Sequence, residues 1–374
     1  MLLTLKFRLR DKHATELNRQ ARAVNYVWNY CNDTQRKAAR DHRKWLTWVD
    51  LANLTAGSSR ELGLHSHTIQ HICINYEKSR RQSNKAWLRF RGRKSLGWVP
   101  FNQGHVRFDG KAFVFRGVRY DPMHVRAIPD GAIIRAGSFN QDSQGRWYLN
   151  VPIEFADDHF PKCNHSSVGI DLGLKNIATL SDGNTIAAPQ WYRALEQSLG
   201  VAFRANKRRR VRSISSKIAN GRRDYLHKAS AQIARNNDVI VIGDVSSSKL
   251  ARTTMAKSVL DAGWRMFRNQ ILYKAIRHGG ICIEADERWT TQTCSACGSL
   301  PEGRPKGIAG LGIREWTCRD CGAVHGRDVN AAKNILARGL ASLAEGAPRE
   351  GSSQLHGRGF KICHLPHGPK SGMF

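Results

Sequence analysis

Four cysteines in the last third of the chain have the spacing of a metal site. They form two Cys-x-x-Cys pairs that are twenty residues apart, namely Cys294, Cys297, Cys318 and Cys321. Each pair can present two thiolates to one tetrahedral Zn²⁺ through bonds of about 2.3 Å, and four sulfurs leave no position for a reacting water. The spacing predicts one structural zinc ion. A redox dithiol is the less favoured alternative, and His325 is interpreted as an ordinary polar residue.

Two aspartates are placed where carboxylates could bind a second kind of metal. Asp171 follows an apolar strand and precedes a glycine-containing turn, and Asp328 opens the last helix of the chain. An isolated Asp at a helix start ordinarily caps it, which is worth about 1 kcal/mol. The alternative is a two-metal phosphodiesterase, in which two Mg²⁺ ions about 4 Å apart activate water and stabilise the leaving oxygen. Such a site normally needs three or four carboxylates.

The charge of the chain indicates a polyanionic partner. Sixty Lys and Arg against 30 Asp and Glu give a formal charge of +30 over 374 residues, which attracts nucleic acid strongly. A membrane is the competing partner, but no apolar run approaches the 18 or more residues of a spanning helix. The first ten residues lack a signal-peptide cleavage pattern, so a cytoplasmic protein is expected. The remaining cysteines are interpreted as free thiols, namely Cys31, Cys73, Cys163, Cys282 and Cys363.

The first half reads as a β unit with a helical insertion. Residues 3–9 alternate apolar and polar, which predicts a strand. A helix is expected from Lys12 to about Arg43, with an apolar stripe of Leu17, Ala21, Val24, Trp28 and Cys31, and a second from His65 to Phe90, with Ile69, Ile72 and Tyr76 inside. Short alternating stretches with turns follow from Gly97 to Phe155, and the first strand is expected to pair with them.

Two basic segments are candidate nucleic-acid surfaces. The first lies in and after the second helix, namely Lys78, Arg80, Arg81, Lys85, Arg89, Arg91 and Arg93. The second begins a later helix, namely Lys207, Arg208, Arg209, Arg210 and Arg212. A solvated basic face is the alternative for both, and the near absence of acids favours phosphate contacts.

The second half has the order of an RNase H-like α/β unit. After a linker at Cys163–Ser167, strands are expected at Val168–Leu172 and Asn176–Leu180, then a long helical stretch at 192–236. A buried parallel strand at Val239–Ile242, a helix at 256–278, a strand at Ile281–Glu284 and a helix at 328–343 follow. The tail from Glu345 to Phe374 is rich in Gly, Pro, Ser and His and is expected to be mostly disordered.

Several motifs of this half resemble those of the OrfB, or TnpB, family. They are Val168-Gly169-Ile170-Asp171-Leu172-Gly173, Gly243-Asp244-Val245, Asp261-Ala262-Gly263-Trp264, Thr290-Thr291-Gln292-Thr293-Cys294 and Arg327-Asp328-Val329-Asn330-Ala331-Ala332. The resemblance covers residues 167–340 strongly and the first half more loosely. It implies a transposon-encoded, RNA-guided, Mg²⁺-dependent endonuclease of the RuvC type, related to type V CRISPR effectors.

The resemblance also implies a multidomain α+β architecture. A β-barrel wedge domain (1–10 and 98–160) is interrupted by a helical recognition domain (11–97). A RuvC-like, RNase H-like nuclease domain (164–289 and 325–343) encloses a zinc-binding module (290–324), and a tail (344–374) follows. The implied partners are a guide RNA from the transposon end, known as omega RNA, and target double-stranded DNA beside a short adjacent motif. A monomer is favoured.

One departure from the family pattern concerns catalysis. The family has a catalytic Glu directly before the Asp that ends the fourth strand, and this chain has Gly243 there. Asp244 cannot simply replace it, because neighbouring strand residues point to opposite faces unless a bulge intervenes. Glu287, after the fifth strand, could reach over the space that Gly243 leaves, in a context similar to members with a rearranged site. The predicted catalytic set is Asp171, Glu287 and Asp328 with two Mg²⁺ ions.

Three functions therefore compete at the level of sequence. They are an RNA-guided nuclease, a nuclease-dead RNA-guided binder or repressor, and an unguided zinc-containing accessory protein of transposition. The retained Asp171 and Asp328 favour the nuclease, and Gly243 argues the other way. A second departure, Gly326, removes an additional acid that many members carry.

Overall fold

The computed structural model describes residues 2–41, 45–155, 166–245, 250, 252–306, 309–345 and 361–362. The chain divides into two compact units, Met1–His159 and Phe160–Phe374, and both mix helices with strands. No described helix is both long enough and apolar enough to span a membrane.

The first unit is built on an antiparallel sheet. Its strands are β1 (Leu2–Arg8), β2 (Trp98–Phe101), β6 (Ile133–Ile134), β7 (Gly137–Gln141) and β8 (Trp147–Glu154), in the order β1-β8-β7-β2 with β6 also on β8. Every second residue of β8 is buried, as half-buried strands require. β1 pairs with β8 along its whole length, from Leu2 opposite Glu154 to Arg8 opposite Tyr148. The expected pairing of the first strand across the helical insertion is confirmed.

A separate meander and four helices complete this unit. The meander is β3 (Val106–Phe108), β4 (Phe113–Phe115) and β5 (Val118–Tyr120). The helices are α1 (Ala14–Arg40), α2 (Trp48–Leu54), α3 (Ser59–Leu62) and α4 (Ser66–Ser83). The stripe predicted on α1 is buried throughout. The sequence analysis missed α2, which has a capping box between Thr47 and Asp50.

The second helix ends earlier than predicted. α4 stops at Ser83, because Asn84 takes a left-handed conformation (φ 49°) and its amide closes on the last turn. The following segment is held against α1 by side-chain amides instead of helical bonds. Asn32 exchanges two hydrogen bonds with the backbone of Leu88, at 2.7 and 2.8 Å, and Asn29 does the same with Arg91, at 2.7 and 2.8 Å. These bonds satisfy the backbone without a helix.

The second unit is built on a mixed sheet of six strands. They are β9 (Ser167–Leu172), β10 (Asn176–Leu180), β11 (Thr185–Ala187), β12 (Val239–Gly243), β13 (Ile281–Ala285) and β16 (Lys361–Ile362), in the order β11-β10-β9-β12-β13-β16. β12 runs parallel to β9 and β13, and β9 and β10 pair antiparallel. The expected hairpin and the buried parallel strand are confirmed. The tail from Glu345 to Phe374, which is expected to be mostly disordered, lies almost wholly outside the described residues. Residues 163–165 of the expected linker also lie outside them.

The described residues of this unit include five α-helices, and two predicted helices are each divided. They are α5 (Trp191–Arg204), α6 (Arg208–Asn236), α7 (Ala256–Ala262), α8 (Trp264–Arg277) and α9 (Arg327–Glu345). The prediction of one helical stretch at 192–236 is wrong at Asn206, whose φ of 54° interrupts it. The stretch at 256–278 turns at Gly263, whose φ is 68°. A two-stranded hairpin, β14 (Glu315–Thr317) and β15 (Val324–Gly326), precedes α9.

Two glycines allow α9 to lie close to the sheet. A Cβ at Gly169 of β9 would be 2.0 Å from the carbonyl oxygen of Ala332, and one at Gly339 of α9 would be 2.4 Å from a methyl of Val241. Both distances are impossible contacts, so any larger residue would push the helix away. The close approach brings the start of α9, which carries Asp328, towards the carboxyl end of β9, which carries Asp171.

Candidate functional site

Three separate segments supply the candidate carboxylates. Asp171 lies in β9, Glu287 follows the end of β13 by two residues, and Asp328 is the second residue of α9. β12 lies between β9 and β13 in the sheet and ends at Gly243, which pairs with Ala285. Carboxyl ends of parallel strands meet at one edge of a sheet, so this topology brings the segments to a common edge.

The Glu287 side chain occupies the volume above Gly243. A Cβ added to Gly243 would lie 1.8 Å from Oε1 of Glu287, 2.5 Å from Cδ and 2.6 Å from Cγ. A side chain at position 243 and the present Glu287 rotamer therefore exclude each other. Glu287 has the position that the sequence argument expects, while its catalytic role stays a prediction.

Burial and neighbouring charge raise the pKa of two of these acids. The pKa of Glu287 rises to about 8, chiefly because the carboxyl is buried and then because of the charges of Asp171 and Asp244, while Arg268 opposes the rise. The pKa of Asp171 rises to about 7, again chiefly through burial and then through Asp328. Oε1 of Glu287 is buried and accepts no hydrogen bond within the described residues. The site holds more negative charge than its surroundings balance, and its hard oxygen donors fit a divalent cation such as Mg²⁺.

Asp328 differs from the other two acids. Its Oδ2 accepts a hydrogen bond from Arg314 at 3.3 Å, and the side chains of Arg314 and Asp328 are 51% and 35% exposed. The three carboxylates do not converge as tightly as ligands of a single ion, since among described residues only two other clusters have all ligand atoms within 4.8 Å of one another. A wider spread is compatible with two ions about 4 Å apart.

Asp244 lies outside this group. The parallel register of β12 and β13 is regular from Val239 to Gly243, without a bulge. The amide of Asp244 donates to the carbonyl of Ala285 at 3.0 Å, and its exposed carboxylate accepts the amide of Glu287 at 3.4 Å. The strand offers no irregularity that would turn Asp244 to the face of Gly243.

Arg268 is a residue of this region that the sequence analysis missed. Its guanidinium donates to the carbonyls of Gly243 (3.0 Å) and Val245 (3.2 Å) and pairs with Glu284 at 3.2 Å. It therefore holds the end of β12 and lies near enough to Glu287 to lower its pKa. Nothing in the spacing of α8 distinguishes this arginine, because its partners are backbone atoms of a distant strand.

The four cysteines form one cluster. Their sulfurs all lie within 4.8 Å of one another, with 3.7 Å between Cys294 and Cys321 and 3.8 Å between Cys297 and Cys318. Four ligands at about 2.3 Å from a tetrahedral ion are about 3.8 Å apart. Each pair lies in its own turn, and the two turns are of the same kind. In each, the glycine after the second cysteine has a positive φ, 78° at Gly298 and 75° at Gly322. The cluster could bind zinc.

Side chains around this cluster were not identified from the sequence. Nε2 of the buried His325 lies 3.0 Å from the sulfur of Cys294, and its ring packs on Trp316 with centroids 4.9 Å apart. Asn330 and Asn334 of α9 each donate to the carbonyls of Thr290 and Thr293, at 2.7 to 3.2 Å. These amides fasten the segment before the first cysteine pair to α9. Asn330 and Asn334 are four residues apart and so lie on one face of the helix, and this spacing is the feature of the sequence that could have identified them.

Two arginines of the first basic segment do not face solvent. Arg80 is 1% exposed, lies 4.7 Å from the ring centroid of Trp45 and donates to the carbonyl of Leu46. It continues the buried stripe of α4 four residues after Tyr76, so the periodicity could have revealed it. Arg91 is partly buried near Trp28 and Trp98 and donates to Asn25. The predicted phosphate contact is wrong for Arg80, because its side chain is buried. The guanidinium of Arg91 packs over the rings of Trp28 and Trp98.

The other basic candidates are exposed. They are Lys78, Arg81, Lys85, Arg89 and Arg93 in the first unit and Lys207, Arg208, Arg209, Arg210 and Arg212 in the second. Arg81 pairs with Glu77 at 2.6 Å. Arg222, further along α6, is instead tied to the buried Asp261 at 2.7 Å. The exposed part of α6 is therefore confined to its first turns and its outer face.

Comparison with known proteins shows which families the chain is similar to. The OrfB_IS605 family, described as "Probable transposase", matches residues 150–254, and the Cas12f1-like TNB domain matches residues 264–335. A "Putative RNA-guided DNA endonuclease" of Streptomyces pristinaespiralis is 29% identical and covers 90% of this chain and 88% of its own. InsQ of Escherichia coli (strain K12), also named a putative RNA-guided DNA endonuclease, is 32% identical over 54% of this chain and 56% of its own.

A solved structure agrees in fold. The Cas12f1 chain of a complex with single-guide RNA and target DNA superposes with a TM-score of 0.54 at 11% identity, over 90% of this chain and 98% of that one. At this identity the likeness concerns the fold alone. The two matching regions and the named relatives show that the chain is similar to the OrfB, or TnpB, family and to Cas12f1-like proteins.

Proposed function

We propose that this protein is an RNA-guided DNA endonuclease of a transposable element, which cleaves target DNA next to a short adjacent motif by two-metal-ion phosphodiester hydrolysis. Similarity to the OrfB_IS605 family and the names of the relatives support the guided nuclease. The observation that carries the catalytic part is the Glu287 carboxylate above Gly243, buried and unpaired at Oε1. It supplies a third acid in a chain that has Gly243 where the family pattern has its catalytic Glu.

The three acids would act as metal ligands, and protons compete with the metal ions for two of them. Asp171, Glu287 and Asp328 would hold two Mg²⁺ ions, which activate the attacking water and stabilise the leaving oxygen. The raised pKa values of Asp171 and Glu287 mean that protons compete with cations for these carboxylates. Asp328 would give up Arg314 to serve as a ligand, since both side chains are exposed enough to move. Arg268 keeps β12 in place beneath Glu287.

The proposed domains follow the order implied by the family. Residues 1–10 and 98–160 would form the wedge domain, 11–97 the recognition domain, 164–289 and 325–343 the RuvC-like nuclease, and 290–324 the zinc module. The division of the chain at His159 supports a boundary between wedge and nuclease. One zinc ion at the four cysteines would be structural, because no ligand position is left for substrate.

The exposed basic residues would contact phosphates. In the first unit these are Lys78, Arg81, Lys85, Arg89 and Arg93, and in the second they are Lys207, Arg208, Arg209, Arg210 and Arg212. Guide RNA and its heteroduplex are recognised by backbone shape and target sequence by pairing. Each neutralised phosphate of duplex DNA adds about 0.9 to the logarithmic salt slope. Arg209→Ala should lower that slope by about 0.9, whereas Arg80→Ala should destabilise the fold and leave the slope unchanged.

The test of the whole proposal begins with the RNA that copurifies with the protein. It is sequenced, a matching target plasmid is prepared, and cleavage is measured in Mg²⁺ and in EDTA. Guided cutting that requires Mg²⁺ supports the endonuclease. Tight guided binding without cutting would instead establish a repressor, and equal affinity for unrelated duplex DNA without any specific RNA would establish an unguided accessory protein.

A further inference from the structure

Three histidines of the first unit lie together, far from any cysteine pair in the sequence. His65 is the N-cap residue of α4, His67 lies in its first turn, and His105 lies in the turn between β2 and β3. Their ring centroids are 5.2 Å (His65 to His67), 4.7 Å (His65 to His105) and 4.7 Å (His67 to His105) apart. One ring nitrogen of each lies within 4.8 Å of the other two.

The turn that carries His105 is fixed to α4 without help from the three rings. Nδ1 of His71, one helical turn after His67, lies 2.7 Å from Oδ1 of Asn102. The amide of His105 donates to the carbonyl of Asn102 at 3.3 Å, and Gly104 closes the turn with a φ of 80°. The rings are therefore held near one another by the fold, which lowers the cost of gathering them around one ligand.

The protonation of the trio suits a metal. Burial is the first cause that lowers the pKa of both His65 and His105, and the neighbouring imidazoles lower it further. A neutral imidazole is the form that ligates. His67 is exposed, which leaves the cluster open to solvent. Arg116, which donates to the carbonyl of Gly63 at 2.7 Å, is the charged neighbour that opposes a cation.

We propose that His65, His67 and His105 bind one first-row transition metal ion such as Zn²⁺. Three neutral nitrogens and no carboxylate form a donor set that suits zinc, copper or nickel and not Mg²⁺ or Ca²⁺. Zn–N bonds of about 2.0–2.1 Å place the nitrogens about 3.3 Å apart, so the rings close inward on binding. Nδ1 of His65 accepts the amide of His67 at 3.2 Å, so His65 either ligates through Nε2 or gives up this bond.

The bound ion would join the start of α4 to the turn between β2 and β3. It would leave one position for water, unlike the four-thiolate cluster, where no position is left. A ligand that binds only the folded state stabilises it by mass action, so the melting temperature should rise with free zinc even when the cysteine cluster is already filled.

The experiment uses the full chain with its cysteine cluster loaded with zinc. A Zn²⁺ titration at pH 7.5, followed by calorimetry and by metal analysis after dialysis against buffered zinc, should show a second equivalent. His67→Gln and His105→Gln should each weaken that second binding at least tenfold and remove the zinc-dependent rise in melting temperature. His65→Asn should do the same while it preserves a good helix cap.

His124→Gln, an exposed histidine of the same unit, is the matched control and should bind the second equivalent normally. Melting curves in EDTA check that each variant is folded. A wild-type chain that takes up only one equivalent overturns the proposal. So does a second equivalent that all three histidine variants retain with unchanged affinity.

Discussion

The carboxylate site and the cysteine cluster are both candidate metal sites of the second unit, but different forces gather their ligands. Each cysteine pair is placed by a local turn with one positive-φ glycine, and only the two turns have to meet. The three acids come from a strand, from the segment that follows another strand and from a helix, which are distant in sequence. The four sulfurs lie within 4.8 Å of one another, whereas Glu287 has a buried oxygen that accepts no hydrogen bond from the described residues. Local spacing suffices to place the cysteine cluster, and the candidate carboxylate site depends on long-range packing.

The largest expected effect is a loss of guided cleavage, which should occur for the three acids and not for their neighbour Asp244. Glu287→Ala should reduce guided cleavage by about three orders of magnitude, equivalent to about 4 kcal/mol of transition-state stabilisation, because it removes a metal ligand. Asp171→Ala and Asp328→Ala should behave alike. Single-turnover cleavage rates and target affinities are measured together, and affinity should change little.

Glu287→Gln and Asp244→Ala are the controls for this comparison. The glutamine keeps the shape above Gly243 and removes the charge, so it should be as inactive as the alanine variant. Asp244→Ala should cut normally. Normal cutting by Glu287→Ala with loss in Asp244→Ala would show that the acid was assigned to the wrong residue. All these variants should retain the zinc content of the wild type.

The cysteine cluster should show the opposite pattern. Cys318→Ser removes one of four ligands, so we expect loss of the zinc equivalent and a fall of several kcal/mol in the free energy of unfolding of this segment. Zinc analysis and hydrogen exchange across residues 290–326 measure the two effects. If Cys318→Ser keeps its zinc and its exchange protection, the four sulfurs do not bind one zinc ion together.

Gly243→Ala tests whether cleavage requires the space above Gly243 that the Glu287 side chain occupies. The new Cβ would collide with the outer atoms of Glu287, which belong to a flexible side chain that can swing away. We expect cleavage to fall by at least tenfold while the free energy of unfolding changes by less than about 1 kcal/mol. Gly339→Ala is a useful contrast, since its Cβ would meet the packed Val241 and should cost about 1–3 kcal/mol.

The smallest expected effect concerns pH. Without metal, the folded state keeps Asp171 and Glu287 protonated up to about pH 7 and about pH 8, above their ordinary values of 3.8 and 4.5. The folded state therefore binds more protons than the unfolded state in this window, and stability should fall as the pH rises from about 5 to about 8. Thermal melts in EDTA should show this decline. Mg²⁺ should reduce it, and Glu287→Gln should remove part of it in EDTA.

The sequence was sufficient wherever one short segment carries the information. The alternation of β8, the buried stripe of α1, the apolar run of β12 and the spacing of the cysteines are all periodic or local signals, and the structure has each of them. The motifs around Asp171 and Asp328 likewise carried the resemblance to the OrfB, or TnpB, family, and the OrfB_IS605 model matches residues 150–254. Errors arose where one residue redirects the backbone, as at Asn84 and Asn206, because a left-handed conformation leaves little trace in hydrophobic periodicity.

Tertiary structure alone decided the environment of each charged group. The sequence could suggest that Glu287 reaches over Gly243, but only packing put its carboxylate in that volume and left Oε1 without a partner. The periodicity of α4 could place Arg80 on its buried stripe, but only the structure shows that its guanidinium lies over the ring of Trp45. The three histidines likewise became a cluster only when the turn after β2 met the start of α4. Burial and proximity depend on which distant segments pack together, and no local pattern in the sequence specifies those contacts.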